Sequence, residues 1–194
     1  MRSGNLRRRK FLQLGASAAV AGPTLSCSGV KSRWRFLTLT EATTLEAVCD
    51  RIIPPDEDPG AGQAGAVNFI DRQLMGFYKP LRASYRTGLA GIDQASRGLF
   101  GARFVELPGD RQIAVLQAME QDRAPGEAWK ELPAKTFFNL LLAHTMQSFY
   151  GDPRHGGNRE AASWRMLGIP NPPIRGRLHY DFAHPTQPGA SQKG

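Results

Sequence analysis

The sequence predicts an all-α protein: one small domain of about five main helices, between a basic amino-terminal segment and an extended, Pro-rich carboxyl-terminal arm. Three observations predict it. Apolar residues recur at helical spacing in five segments, no alternating run is long enough to argue for a sheet, and prolines stand at segment boundaries.

Leu45, Val48, Cys49, Ile52 and Ile53 fall at i, i+3, i+4, i+7 and i+8, the stripe of a helix with one buried face. Thr38-Leu39-Thr40-Glu41 supplies a capping box at its start, because hydroxyl and carboxylate can satisfy the first orphan amides reciprocally. Pro54-Pro55 ends it. Val67, Ile70, Leu74 and Phe77 define a second helix, and Leu81, Tyr85, Leu89, Ile92, Ser96 and Leu99 a third that starts just after Pro80. Ile113, Leu116 and Met119 mark a fourth. The fifth, 137–150, is the most apolar, with Phe137, Leu140, Leu141, Leu142, Met146 and Phe149, and is expected at the centre.

Beyond Tyr150 come Gly-Asp-Pro-Arg-His-Gly-Gly-Asn, a short segment containing Trp164, and a Pro-rich tail from Ile169. The stretch Asn171 through Tyr180 has little apolar content and reads as an arm that needs another surface to hold it. The expected organisation is an export signal over 1–30, a linker over 31–36, the helical domain over 37–170 and the arm over 171–194.

With 194 residues, 41% hydrophobic, 22% charged and two cysteines, the chain is neither a disulfide scaffold, nor wholly disordered, nor a polytopic membrane protein. Its formal charge of +8 suggests nucleic acid until the charges are located. Residues 1–35 hold eight basic and no acidic side chains, and the remainder balances at 17 of each. A nucleic-acid binder is therefore disfavoured. The body is still polarised: residues 154–194 carry six basic and two acidic groups.

Arg8-Arg9-Lys10-Phe11-Leu12-Gln13 precedes an uncharged stretch, 14–30, rich in Ala, Gly and Ser and interrupted by Pro23. This resembles a twin-arginine export signal, with Arg8, Arg9, Phe11 and Leu12 as the matching residues; Arg7 and Gln13 depart from the usual pattern. The competing reading, a membrane anchor, is weaker because Gly and Pro interrupt the ~20 apolar residues a span needs. The resemblance implies passage of an already folded protein, through the twin-arginine translocase, to the periplasm. Ala19-Val20-Ala21 is an early small-x-small site, and Thr24-Leu25-Ser26-Cys27 an imperfect lipobox. Without the signal the body keeps Cys49 alone, a small hydrophobe if buried and a thiol for a partner chain if exposed.

Three groups are candidates for chemistry. Gly60-Ala61-Gly62-Gln63-Ala64-Gly65 matches G-x-G-x-x-G but lacks a preceding strand and an acidic residue about twenty positions on, so it reads as a flexible interhelical loop. Asp56, Glu57 and Asp58 could collect calcium, but their spacing is not that of an EF-hand, and consecutive acids on such a loop are more often solvated. His144, Asp152 and His155 could bind zinc or relay protons. Against that, a His-Thr pair in a Phe/Leu-rich helix is usually a buried imidazole bonded to backbone, with Asp152 capping the next turn. No catalytic, cofactor-binding or metal residue is assigned.

Phe137-Phe138-Asn139-Leu140-Leu141-Leu142-Ala143-His144-Thr145, then Ser148-Phe149-Tyr150-Gly151-Asp152-Pro153-Arg154-His155-Gly156-Gly157-Asn158-Arg159, then Trp164 and Gly168-Ile169-Pro170, resemble the signature of the gluconate 2-dehydrogenase subunit 3 family. Ile52-Ile53-Pro54 and Phe69-Ile70-Asp71-Arg72-Gln73-Leu74 fit as well, so the resemblance spans about 37–173; Tyr is commoner in the family where this chain has His155. It implies a non-catalytic small subunit of an exported, membrane-associated sugar or sugar-acid dehydrogenase. The implied partner is a large subunit of the glucose-methanol-choline (GMC) oxidoreductase type, which carries the FAD and usually passes electrons to a cytochrome c subunit. The small subunit would carry the only export signal and escort the folded flavoprotein.

In that role the resemblance makes His144, Asp152, Pro153, Gly156, Gly157 and Asn158 a structural motif, with Gly156-Gly157-Asn158 forming a turn that reaches positive φ. Arg154, Arg159, Arg165, Arg175 and Arg177 would pair with acidic groups of the large subunit, with Leu178 and Tyr180 packing along it. Trp164 would anchor either the subunit's own core or the partner. Two other readings stay open: a transient export chaperone, and a stand-alone periplasmic metal-dependent enzyme using His144, Asp152 and His155.

Overall fold

Thr38 opens the first helix in the computed structural model, which describes residues 33–170. Its hydroxyl accepts from the Glu41 amide at 3.2 Å while the Glu41 carboxylate accepts from the Thr38 amide at 2.8 Å, the reciprocal cap expected of this spacing. Helix α1 (Leu39–Ile52) buries Leu45, Val48 and Cys49 completely and stops before Pro54. Helix α2 (Ala66–Met75) is entered through Gly65 at φ +86°. It ends before Phe77, which is 85% exposed. The expected extension of the apolar stripe to Phe77 is therefore wrong: the chain leaves the helix at Gly76, and Tyr78 turns inward instead.

A 3-10 turn at Lys79–Leu81 leads into α3 (Arg82–Phe100), which is followed by α4 (Gly109–Glu120), α5 (Ala134–Tyr150) and the short α6 (Ala162–Met166). Among the described residues there is no strand. Helix α5 packs against each of the other five helices, as its apolar content predicted. Its approach to α3 depends on Gly88, where a Cβ would stand 2.3 Å from the Phe137 ring. A mid-helix glycine costs ~1 kcal/mol against alanine, and here it admits a fully buried phenylalanine.

Helix α4 departs from its expected face. Ile113 is 44% exposed, and the buried positions are Gln112, Val115, Leu116 and Met119. The Gln112 amide donates to the Phe104 carbonyl at 3.0 Å, so a polar side chain takes the inward position that apolar periodicity gave to Ile113.

Asp71, nearly fully buried on α2, accepts backbone N–H bonds from Arg35, Phe36 and Leu37 at 2.8, 2.9 and 2.9 Å. The segment read as a linker over 31–36 is thus held against the domain from Arg35 onward, because one buried carboxylate accepts from three successive amides. The segment read as an export signal, with Arg8, Arg9, Phe11 and Leu12, and the segment read as an arm, with Arg175, Arg177, Leu178 and Tyr180, lie outside the described residues. Among the described residues no helix is long and apolar enough to cross a membrane.

Candidate functional site

The last carbonyls of a helix have no partner within it. At the end of α5 they are met by side chains that follow in sequence: Asn158 Nδ2 donates to Gly151 O (2.8 Å), Ser163 Oγ to Phe149 O (2.6 Å) and the Trp164 indole N–H to Tyr150 O (3.0 Å). The other end of the Asn158 amide accepts from the Ser163 N–H at 2.9 Å. Asn158 therefore ties the end of α5 to the start of α6. The chain can turn so tightly because Gly156 sits at φ +100° and because a Cβ on Gly157 would stand 2.3 Å from Ser148 O.

This plug is fastened to the α1–α2 loop and to the first turn of α2. Asn68 Nδ2 donates to Gly156 O at 2.6 Å, and the Arg159 N–H to Ala64 O at 2.8 Å. The Gly60–Gly65 loop is consequently not the flexible connection its composition suggested. Ala61 and Ala64 are buried, the Ala61 N–H donates to Ile53 O, and the Gly62 N–H is taken by Asp50 Oδ1 at 2.8 Å. Those amides are spent on the fold and do not cradle a phosphate. In the neighbouring turn the Asp58 N–H donates to Asp56 Oδ1, and the three acids form no group able to hold a cation.

Asp152 caps the turn at Pro153–His155 by accepting the Arg154 N–H at 3.0 Å, and its carboxylate also holds the Arg154 guanidinium, with Nη2 at 2.7 Å. Asn158, Glu160 and Ala161 all have positive φ, at 43°, 56° and 55°. Left-handed backbone costs roughly 1–2 kcal/mol for each such residue, so this corner is strained. Its outer side exposes Arg154, His155, Arg159, Glu160 and Arg165, followed by Met166, Leu167 and Ile169. Arg165 also donates to the Glu160 carbonyl. Trp164 is only 7% exposed, so of its two expected roles the structure shows packing within this chain.

His144 lies inside α5, stacked on Tyr78 with ring centroids 3.8 Å apart and planes 4° from parallel. Its Nδ1 shares a 2.8 Å hydrogen bond with the buried Tyr85 hydroxyl, a side-chain partner in place of the expected backbone one. The Tyr78 hydroxyl donates to Gln147 Oε1. Burial pushes His144 down to about 4 and both phenols up, so the stack is uncharged near neutrality. One residue along, Cys49 Sγ meets Thr145 Oγ1 at 3.4 Å, and burial raises that thiol to about 12. A buried thiol of this kind is not presented to a partner chain.

The metal-enzyme reading needs His144, Asp152 and His155 together. The structure separates them: His144 is committed to the tyrosines, Asp152 to Arg154, and His155 faces solvent. Among the described residues no three His, Cys, Asp or Glu side chains form a group that could hold a metal ion. Sequence reasoning did not single out Asn68, Asp71 or Ser163 as fastening residues. Their signal was present as polar side chains inside apolar helical segments.

The family model described as gluconate 2-dehydrogenase subunit 3 matches residues 40–170, well over half of the chain. No curated protein and no solved structure matches it.

Proposed function

The chain belongs to the gluconate 2-dehydrogenase subunit 3 family, a family of dehydrogenase-complex subunits, and on that premise we propose that it is the non-catalytic small subunit of an exported, FAD-dependent sugar or sugar-acid dehydrogenase. It supplies the twin-arginine signal, crosses with its folded GMC-type partner and remains bound to it in the periplasm. One observation supports the non-catalytic part: five polar side chains of the signature are engaged in internal hydrogen bonds, with His144 on Tyr85, Asp152 on Arg154, and Asn158, Ser163 and Trp164 on backbone groups. What the corner leaves outward, Glu160 apart, is basic and apolar surface suited to an acidic partner. Arg154, Arg159 and Arg165, with Arg175, Arg177, Leu178 and Tyr180 of the following arm, are the contacts proposed with the large subunit.

The test is co-expression with a GMC-type flavoprotein large subunit, sought first in the reading frame next to this one, affinity capture of the small subunit from the periplasm, and a flavin absorbance spectrum. A stable yellow complex that oxidises a sugar, absent from the periplasm when Arg8 and Arg9 are replaced by Lys, is the expected outcome. Colourless, solitary protein would overturn the bound-subunit reading and leave a releasing chaperone or an independent domain, which metal analysis of the same sample would separate.

A further inference from the structure

Two glycines in left-handed conformation, Gly65 at φ +86° and Gly156 at φ +100°, meet where the start of α2 touches the turn after α5. A Cβ on Gly65 would stand 3.3 Å from Gly156 O. Two arginines from distant parts of the chain lie against this junction. Arg72, on α2, crosses Gly156, whose Cβ would stand 2.7 Å from Arg72 Nη1 and 2.9 Å from its Cδ. The absent side chain at 156 is what admits it. Arg159 reaches the Gly65 half of the junction, with Nη2 3.7 Å from the Cβ position of Gly65.

Among the described residues neither guanidinium has an ion pair or a hydrogen-bond acceptor, whereas Arg86, Arg103 and Arg154 are matched by Glu41, Asp93 and Asp152. The acids nearest in sequence do not supply one: Asp71 accepts the amides of residues 35–37, Asp152 holds Arg154, and Glu160 forms no ion pair among the described residues. Both cations stay within reach of a partner. Arg159 is exposed, and half-buried Arg72 has no side-chain nitrogen sealed from solvent. Like charges set against one junction repel, and an anion placed there removes that cost. Guanidinium forks match a carboxylate bidentately, and a fork already seated by packing loses little freedom when it pairs.

We propose that Arg72 and Arg159 form an acid-receiving bracket at the Gly65–Gly156 junction, which takes a carboxylate of the large dehydrogenase subunit. This rests on the small-subunit reading above. It extends the basic corner onto α2 and gives it a centre that is open to an acid, since Arg154 is already neutralised by Asp152.

The test uses the full chain co-expressed with a GMC-type flavoprotein large subunit. Arg72→Gln/Arg159→Gln is expected to retain about tenfold less flavoprotein on the captured subunit than wild type, and Arg72→Lys/Arg159→Lys, which keeps the charge and loses the fork, about threefold less. Arg123→Gln, at an exposed position after α4, is expected to retain as much as wild type. Equal retention by the double glutamine variant would overturn the bracket while leaving the subunit reading intact. A wild-type chain that retains no flavoprotein would overturn the subunit reading, and this inference with it. If the double variant does not fold, modification of wild-type arginines by phenylglyoxal decides. Arg72 and Arg159 are expected to react about tenfold more slowly in the complex than in the free subunit, while Arg123 reacts equally in both; unchanged reaction of Arg72 and Arg159 refutes the proposal. Protection of both already in the free subunit, lifted by Asp181→Asn, would assign the bracket to this chain's own carboxyl-terminal segment and overturn it.

Discussion

Acidification is expected to unlock the His144 stack, and its size follows from the structure. In the unfolded chain a histidine titrates near its ordinary value of 6.5, whereas burial between Tyr78 and Tyr85 holds His144 at about 4. Between those values the unfolded chain binds the proton and the folded one does not, so stability falls as the pH drops through 6.5 towards 4 and levels off below. At pH 4.5 the accumulated loss is about 2.5 kcal/mol, from ~1.4 kcal/mol per unit. Against a total of roughly 5–15 kcal/mol that is a large fraction. Urea unfolding followed by tryptophan fluorescence at pH 7.5, 6 and 4.5, on wild type and His144→Gln, isolates this contribution because every other titrating group is common to both. The variant is expected to be the less stable at pH 7.5 and to close about 2.5 kcal/mol of that gap by pH 4.5. A gap that stays constant across the range would refute the reasoning.

Gly157→Ala forces a Cβ to within 2.3 Å of Ser148 O and is expected to destabilise by about 2–3 kcal/mol in thermal unfolding; a melting temperature equal to that of wild type would mean the plug relaxes freely. Asp71→Ala strips the acceptor from three amides and should cost about 3 kcal/mol, with new proteolytic cleavage just before Leu37. Resistance equal to wild type would show that Trp34 and Phe36 hold the segment by packing alone. In a Cys27→Ser background, Cys49 should react with a disulfide reagent at least a hundredfold more slowly in the native protein than in urea; comparable rates would place the thiol in a mobile region.

What the sequence made legible was local. The Thr38–Glu41 box and the Leu45, Val48, Cys49 stripe depend on residues within a turn or two of one another, and both stand as read. Ile113 and Phe77 were misplaced because their orientation is decided elsewhere, by Gln112 reaching Phe104 O and by the chain leaving α2 at Gly76. The signature at 144–164 was recognisable as a pattern, but its physical work was not. Asn158, Ser163 and Trp164 close the end of α5, and Asn68 bonds to Gly156 beside them from 88 residues away in the chain. His144 was expected to be buried, but its partners, Tyr78 and Tyr85, belong to other segments and carry no sequence mark of that pairing.

The bond from Asn68 to Gly156 also orders events in time. The α1–α2 loop and the first turn of α2 are synthesised early, yet the groups that pin them, the Arg159 amide and Gly156 O, are among the last of the domain to be made. Until they appear, Ala64 O and the Asn68 amide have no mates, and the end of α5 is open. A nascent chain thus lacks the basic corner altogether. The pairing proposed through that corner would therefore follow closure of the domain, and a truncation before Trp164 would remove the basic corner and that closure in one stroke.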